Sequence, residues 1–250
     1  MEIAIFFIAH WYLSLFSQTF FMHRYGAHQQ YTLSPFMVKV FYIFSFITQG
    51  SSTLSARAYA IMHRLHHEYS DTQDDLHSPH FFKNVFQMMW HTKRIYHSLL
   101  VREFSPGAEF EEGVPNWESF EKFYDKWYVR VTWGVLYTLY YIKFATAWWM
   151  FLLLPIHYLM GPVHGAIVNW AGHKYGYRNY DLPDKSRNTL PVDLFLLGEL
   201  YQNNHHQEAL NPNFARRWFE LDLVYPVMRV LEMVKVIKPQ GATTHLPGQE

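Results

Sequence analysis

The sequence predicts an all-α integral membrane protein with three to four helical spans and a cytoplasmic domain whose histidines line a di-metal site. Half of its 250 residues are hydrophobic, 16 are histidine, and long uncharged apolar runs lie beside clusters of histidine. A slightly negative mean hydropathy excludes a protein made only of membrane spans. We expect a single membrane domain over residues 1–238 and a disordered tail over residues 239–250, which is rich in proline and glycine.

The first element is an apolar run at residues 3–22, with 20 residues and no formal charge. This length suffices for a helix to cross a bilayer. Glu2 is acidic and the basic region of a signal peptide is missing, so we expect the run to be retained as an anchor. His10 lies inside the run and is interpreted as a neutral ring bonded to a neighbouring helix.

The second element, residues 36–48, is a stretch of 13 positions with one charge, Lys39. Apolar stretches of about 10–14 residues are more often interfacial than spanning. Only 35 positions separate His28 from His63, which is too few for two crossings, and one crossing would place the two histidines on opposite faces. We therefore expect this segment to lie along the membrane surface.

Residues 71–126 mix aromatic and charged side chains. Two interpretations remain open for them: helices on the headgroup surface, or a soluble cap over the metal site.

The next block, residues 131–168, holds 38 residues and one charge, Lys143. As one helix it would measure about 57 Å, far longer than a hydrocarbon core of about 30 Å, so we predict a hairpin.

The hairpin turn is expected near residues 143–149, where a lysine and paired tryptophans suit the far interface. The first arm should begin at Trp127 or Tyr128. The residues expected to kink the second arm are Pro155, Gly161 and Pro162. With this hairpin, 20 of the 21 lysines and arginines fall on the histidine side, so that face should be cytoplasmic and the N-terminus outside. In a bacterium the membrane would be the cytoplasmic membrane.

Charge and cysteine content exclude several partners and cofactors. Twenty-one basic residues balance 21 acidic ones, so no nucleic acid partner is indicated. The sequence has no cysteine, which excludes disulfides, iron–sulfur clusters and zinc sites built on thiolates.

Two histidine motifs occur in the first third of the chain. In HRLHH, which starts at His63, offsets of three and four residues place three imidazoles on one helical face, a geometry suited to a metal. In HRYGAH, which starts at His23, the histidines are five apart and cannot share an α-helical face. We expect the helix to end at Gly26, so that His28 turns back toward the other imidazoles.

Two further motifs follow the hairpin. Asn169 and His173 are one helical turn apart. His205 and His206 are neighbours that point in different directions, which suits ligands divided between two metals. The histidines of the four motifs are His23, His28, His63, His66, His67, His173, His205 and His206. Because one tetrahedral zinc takes at most four ligands, this number favours two metals.

Several of these motifs occur together in a known family. HRYGAH, HRLHH and GELYQNNHH resemble the three histidine boxes of membrane fatty acid desaturases, most closely the acyl-CoA delta-9 branch. NWAGHKYGYRNYD, from Asn169, resembles that family's N-x3-H with the G-Y-R-x-Y-D that follows it. SDTQDDLHS, from Ser70, resembles the segment after the second box. The likeness runs from about His23 to His206.

The resemblance implies a desaturase domain with a centre of two iron ions. This centre would activate O2 and leave a cis double bond, at delta-9, in a saturated acyl chain carried on CoA or on a lipid. The eight histidines above would be its ligands, and Asn169 would hold a water near one iron. Electrons would come from a separate ferredoxin or cytochrome b5-type protein with its reductase.

Two departures from the family pattern bear on the site. Gln202 stands where the acyl-CoA branch has the first histidine of its third box, so we expect a weaker oxygen ligand or a water there. The family has four spans, whereas this chain has room for three. The carboxylates expected, from their positions in the sequence, to orient the ligating rings are Asp71, Asp74, Asp75 and Glu199.

Other functions are weighed against desaturation. A lipid hydroxylase would use the same centre but return oxygen to the carbon, and the motif GYRNYD favours desaturation. A membrane metal transporter should hold its ligands near mid-membrane on broken helices, whereas these histidines are expected at span ends. A hydrolytic zinc enzyme is disfavoured because HEYSD, from His67, is not the H-E-x-x-H motif.

Overall fold

A long N-terminal helix forms the centre of the fold. The computed structural model describes residues 1–240, and its first helix, α1, spans Glu2–Phe16. The helix continues without a break as a π-helix over Ser17–Ala27, which we call the π segment. Together they form a helix of 26 residues that is long and apolar enough to cross a membrane. The helix predicted at residues 3–22 is therefore confirmed, and it extends further than expected.

Helix α2, Pro35–Gln49, packs beside the π segment. It begins with Ser34, whose side chain accepts a hydrogen bond from the Met37 amide, and proline at its first position suits a helix start. The ring of Phe41 lies 4.8 Å from that of Phe20. Outward-facing apolar side chains recur at three- and four-residue intervals along α2, at Phe36, Val40, Ile43 and Ile47. The exposed side of the helix is thus apolar, whereas its buried side mixes aromatic and polar side chains.

A sharp turn at Gly50 returns the chain along the π segment as helix α3, Ala56–Tyr69. Gly50 has a φ of 55°, a left-handed conformation that glycine adopts readily. A Cβ at this position would lie 1.7 Å from the Tyr137 hydroxyl, so glycine is also required for space. Ser55 caps α3 by accepting the Ala58 amide hydrogen.

Three helices between α3 and the predicted hairpin cover one side of α3: α4, Val85–Leu100, α5, Ala108–Glu111, and α6, Glu118–Tyr124. Buried Glu121 of α6 accepts hydrogen bonds from the Ser55 hydroxyl, the Ala56 amide and the Tyr42 hydroxyl. This carboxylate therefore joins α6 to the start of α3 and to α2.

The predicted hairpin is present. Helix α7 spans Trp127–Phe144, so its first arm begins where the sequence predicts. The second arm consists of a 3-10 turn at Trp148–Leu153, helix α8 at Leu154–Tyr158 and helix α9 at Met160–Lys174. The two parts of this arm meet at an angle of 76°, so the predicted kink is a sharp break.

His10, inside the long apolar helix, is bonded to a neighbouring helix, as predicted. Its Nδ1 lies 2.7 Å from Nδ1 of His157 in α8. Nε2 of His157 bonds in turn to the Tyr141 hydroxyl of α7 at 2.8 Å. This chain of contacts joins α1 to both arms of the hairpin.

The number of apolar helices is smaller than the three to four spans predicted. In residues 1–240, one helix is long and apolar enough to cross a membrane, or two if the broken arm counts as one span. Helix α7 is not among them, because Arg130, Lys143 and several tyrosines lower its mean hydropathy. The mostly helical fold class is confirmed, and the span number stays a proposal.

The C-terminal part of the described chain returns to the first histidine motif. It forms short helices α10, Gln202–Gln207, and α11, Val224–Met233. Strand β2, Ile237–Pro239, then pairs antiparallel with β1, Tyr31–Leu33, so that Pro239 faces Tyr31. Ordered structure thus runs past residue 238, where the tail was expected to begin, and residues 241–250 of that tail lie outside the described part of the chain.

Candidate metal centre

The π segment sets the positions of the first two histidines. In a π-helix each backbone hydrogen bond joins residues five apart, so residues i and i+5 lie one above the other. The His28 amide donates to the His23 carbonyl at 3.1 Å, and the two imidazole rings lie 4.9 Å apart. The expectation that the helix ends at Gly26 is wrong, because the helix runs to Ala27 and its wider turn brings both rings to one side.

Five imidazoles meet in what we call the first cluster: His23, His28, His63, His67 and His205. Nε2 of His28 lies 2.8 Å from Nε2 of His63. Nε2 of His67 lies 3.0 Å from those of His63 and His205, and Nε2 of His23 lies 3.0 Å from that of His205. Ligand nitrogens of all except His67 form a group within 4.8 Å of one another, which is close enough to share one ion.

Three imidazoles form the second cluster: His66, His173 and His206. Their ligand nitrogens also lie within 4.8 Å of one another, and Nε2 of His66 is 3.3 Å from Nε2 of His173. Neighbouring His205 and His206 fall in different clusters, as their adjacent positions on helix α10 predict. The structure thus brings all eight predicted histidines together, in groups of five and three.

Four of these rings have a carboxylate close to their Nδ1 atom. Nδ1 of His66 is 3.0 Å from Asp75, and Nδ1 of His173 is 2.8 Å from Asp71. Nδ1 of His23 is 2.8 Å from Glu199. A carboxylate that accepts the Nδ1 proton fixes the ring and leaves the Nε2 lone pair facing the cluster. Three of the four carboxylates expected from the sequence therefore contact a ring.

The fourth expected carboxylate, Asp74, is exposed, and the residue that takes its place is Asp184. Asp184 lies 2.7 Å from Nδ1 of His206. No local signal in the sequence could identify it, since it precedes His206 by 22 positions in a polar loop. The pairing exists because this loop folds back over α10.

The charges of the site suit a cation. Burial, with the neighbouring imidazoles, lowers the pKa of His28, His63, His67 and His205 well below 6.5. Burial alone would raise the pKa of the four carboxylates, but their histidine partners outweigh it and lower the pKa. At neutral pH these four imidazoles are therefore neutral and the carboxylates ionised. Burial would lower the pKa of His66, but Asp75 outweighs it and raises that pKa. A buried carboxylate needs a positive partner, which a metal ion on the rings or a protonated histidine can supply.

Asn169 and Gln202 lie on the wall of a cavity beside the clusters. The Gln202 amide donates to the Glu199 carbonyl at 2.7 Å. A Cβ added at Gly172 would lie 2.5 Å from Cγ of Gln202, so the glycine lets α9 approach this side chain closely. Both residues share this cavity wall with His23 and His63 of the first cluster, and their roles at a metal stay predictions.

His77 lies beside the site but is not among the residues predicted from the sequence. Its ring lies 4.3 Å from that of His66, and it forms a third group of possible ligands with His66 and Asp75. Both of its nitrogens are buried without a hydrogen-bond partner among the described residues. The motif SDTQDDLHS contains this histidine, so its place beside the second box was the available signal.

The segment after α9 supports the third histidine motif. The Asn203 side chain accepts the amide hydrogens of Asn179 and Tyr180, each at 2.8 Å. Asn204 donates to Glu220 at 2.8 Å, and the Tyr177 hydroxyl donates to the same Glu220. The motif GYRNYD therefore fixes the turn that carries His205 and His206.

The cavity beside the clusters has a free volume of about 50 Å³, and a ligand as long as an acyl chain would have to widen it. It lies between the N-terminal helix, α3 and α9. One side is lined by residues near the clusters and the other by side chains from the apolar helices, including Leu15, Gln18, Met62, His164 and Val168. A bound molecule could therefore extend from the histidines into the helical layer.

Comparison with known proteins gives the family. The sequence model for fatty acid desaturases matches residues 2–236. The chain is 27% identical to delta-9 desaturase-like 5 protein of Arabidopsis thaliana, over 89% of this chain and 71% of the relative. It is 28% identical to sn-1 stearoyl-lipid 9-desaturase of Anabaena variabilis, over 69% and 60%, and 26% identical to hex-5-enoyl-[acyl-carrier protein] acetylenase of Moorena producens, over 92% and 74%. The chain belongs to the fatty acid desaturase family.

Proposed function

We propose that this chain is a membrane fatty acyl desaturase that places a cis double bond, at delta-9, in a saturated acyl chain carried on CoA or on a lipid. The observation that carries the proposal is the pair of adjacent histidine clusters. Membership of a family of oxidoreductases supports the reaction type. The names of relatives from Arabidopsis and Anabaena support the delta-9 position.

The two clusters fit a pair of iron ions. Imidazole is a good ligand for iron, and the carboxylates behind the rings strengthen its basicity. The five histidines of the first cluster would hold one ion. The three of the second cluster would hold the other, with Asn169 and Gln202 acting directly or through a water. When bound, the iron supplies the activation of O2 that allows hydrogens to be removed from an unactivated carbon.

The protein's own side chains hold and orient the reactants. Asp71, Asp75, Asp184 and Glu199 keep the imidazole Nε2 atoms turned toward the clusters. The cavity wall of Met62 and Val168 excludes water from the acyl chain. Excluding water strengthens the electrostatic interactions in the site and prevents side reactions.

The membrane setting and the electron donor belong to the same proposal. Three spans would place the clusters at the cytoplasmic face, and the exposed apolar stripe on α2 supports its contact with the bilayer surface. Reducing equivalents would come from a separate ferredoxin or cytochrome b5-type protein with its reductase. The acyl substrate would be a CoA ester or a membrane lipid.

The test is a fatty acid profile of a host that expresses the chain with its electron donor. We expect new monounsaturated chains by mass spectrometry, and none with His66→Ala, because that change removes a ligand from the second cluster and lowers bound iron. His97→Ala is the matched control, since His97 is exposed on α4. Near-normal activity of His66→Ala would refute the ligand assignment. Hydroxylated instead of unsaturated product would identify a hydroxylase.

A further inference from the structure

Two polar side chains line the cavity on the side away from the clusters. His164 of α9 is 1% exposed, and its Nδ1 lies 2.9 Å from Nε2 of Gln18 in the π segment. The ring also stands edge-on to Trp11 at 4.5 Å. Both His164 and Gln18 line the cavity. A wall that held only hydrocarbon would not need a polar pair here, because burying polar groups costs free energy.

The second nitrogen of His164 has no hydrogen-bond partner in residues 1–240. Since the Gln18 amide donates to Nδ1, the imidazole proton lies on Nε2. This Nε2 is buried without a hydrogen bond among the described residues, and an unsatisfied buried donor is unfavourable. An oxygen atom of a bound molecule would satisfy it.

Two of the histidines that join helices, His10 and His164, have a buried Nε2 without a hydrogen bond among the described residues, but only His164 lines the cavity, where a bound molecule can reach it. His157 is also a histidine that joins helices: its Nδ1 contacts His10 and its Nε2 contacts the Tyr141 hydroxyl. Both nitrogens of His157 are thus used, and the residue does not line the cavity. His164 uses only one nitrogen to join α9 to the π segment.

The cavity has room beside His164. A Cβ added at the next residue, Gly165, would meet no atom within 4 Å, so the space there is open. His164 precedes Asn169 by five residues, which is about 7.5 Å along the axis of α9. The Nε2–H donor of His164 therefore lies deeper in the helical layer than the part of the cavity wall that Asn169 lines.

We propose that His164, held by Gln18, forms a subsite for a hydrogen-bond-accepting oxygen on the acyl substrate. The preferred substrate class is then an acyl chain that carries a hydroxyl or keto group along its length, in addition to the ester carbonyl that every acyl substrate has. The inference rests on the proposed function, because it assumes that the cavity holds the acyl chain. A plain chain would leave Nε2–H of His164 unsatisfied.

Binding measurements test the subsite without relying on turnover. Purified iron-loaded protein in detergent is titrated with an 18-carbon saturated acyl-CoA and with positional isomers of the same ester that carry one hydroxyl. We expect at least one isomer to bind about tenfold more tightly than the plain ester. His164→Leu should abolish that preference, and His164→Asn, which keeps an N–H donor, should retain part of it.

His157→Leu is the matched control, an equally buried histidine outside the cavity wall, and should keep the hydroxyl preference. If no isomer is preferred, or if the preference survives in His164→Leu with full iron content, the subsite does not exist. Desaturation of the plain ester without any hydroxyl preference would refute this inference alone. A hydroxyl preference in a protein that desaturates neither ester would support the subsite and refute the proposed function.

Discussion

Single carboxylates decide how the imidazoles of the second cluster are oriented. His66, His173 and His206 each have an aspartate at Nδ1, at 3.0, 2.8 and 2.7 Å. In the first cluster a Glu199 oxygen lies 2.8 Å from Nδ1 of His23, without the geometry of a hydrogen bond. The cluster with fewer imidazoles is therefore the one whose every ring is fixed by an acid. Such partners raise ligand basicity, which offsets the smaller number of nitrogens.

Asp184→Asn should weaken metal binding at the second cluster alone. The amide cannot stabilise the His206 ring as the ionised carboxylate does, and loss of such partners typically costs about 10–100-fold in metal affinity. We expect roughly half of the iron to be lost on mild chelation, measured by metal analysis. Asp74→Asn, an exposed change, is the control. Equal iron retention in both variants would contradict the role given to Asp184.

Gln202→His should retain desaturation and bind iron at least as firmly as the natural chain. Histidine shares Cβ and Cγ with glutamine, so the close packing against Gly172 is conserved, while the ring adds a nitrogen beside the second cluster. Product yield and iron per chain are the measurements. Loss of iron from a Gln202→His protein that still folds would argue against the position of the third histidine box.

At the scale of elements, irregular helix geometry positions the site. The π segment brings His23 and His28 to one side. Helix α9, which carries His173, lies at 76° to the part of the arm that contains α8. The turn at Gly50 sends α3 back along the π segment with His63 on it. Each of these features depends on one local departure from a straight α-helix.

Gly50→Ala should destabilise the protein by about 2–5 kcal/mol, because the new Cβ meets the Tyr137 hydroxyl and a positive φ is unfavourable for alanine. Thermal unfolding in detergent gives the measurement. Gly134→Ala in α7 is the control, since its Cβ would make an ordinary 3.6 Å contact with Tyr158, and alanine favours a helix. Similar melting temperatures for the two variants would refute the steric argument.

Over the whole molecule, the sequence predicts the features that depend on short stretches of the chain and misses those that depend on contacts between distant segments. Apolar length predicted the hairpin. The spacing within HRLHH predicted one shared face for His63, His66 and His67, but the structure places His63 and His67 in the first cluster and His66 in the second. The contact between Asp184 and His206 was missed because it depends on how distant loops meet. The wider turn of the π segment was missed because the spacing of His23 and His28 was interpreted on an α-helix.

The proposed membrane topology can be tested with single cysteines, since the natural chain has none. Thr146→Cys lies exposed in the hairpin turn and Ser105→Cys lies exposed beyond α4. An impermeant thiol reagent should label the first from outside intact cells and the second only in inverted vesicles. Labelling of both from the same side would refute the proposed three-span topology.

The pairing of distant segments also governs when the centre can exist. His205 supplies the first cluster and His206 the second, so both must be translated, long after His23 and His28, before either set of nitrogens is complete. Strand β2, which secures the segment just after His28, emerges later still. Under the proposed function, iron can therefore enter a complete site only after these late segments have folded, and a shorter nascent chain offers only fragments of it.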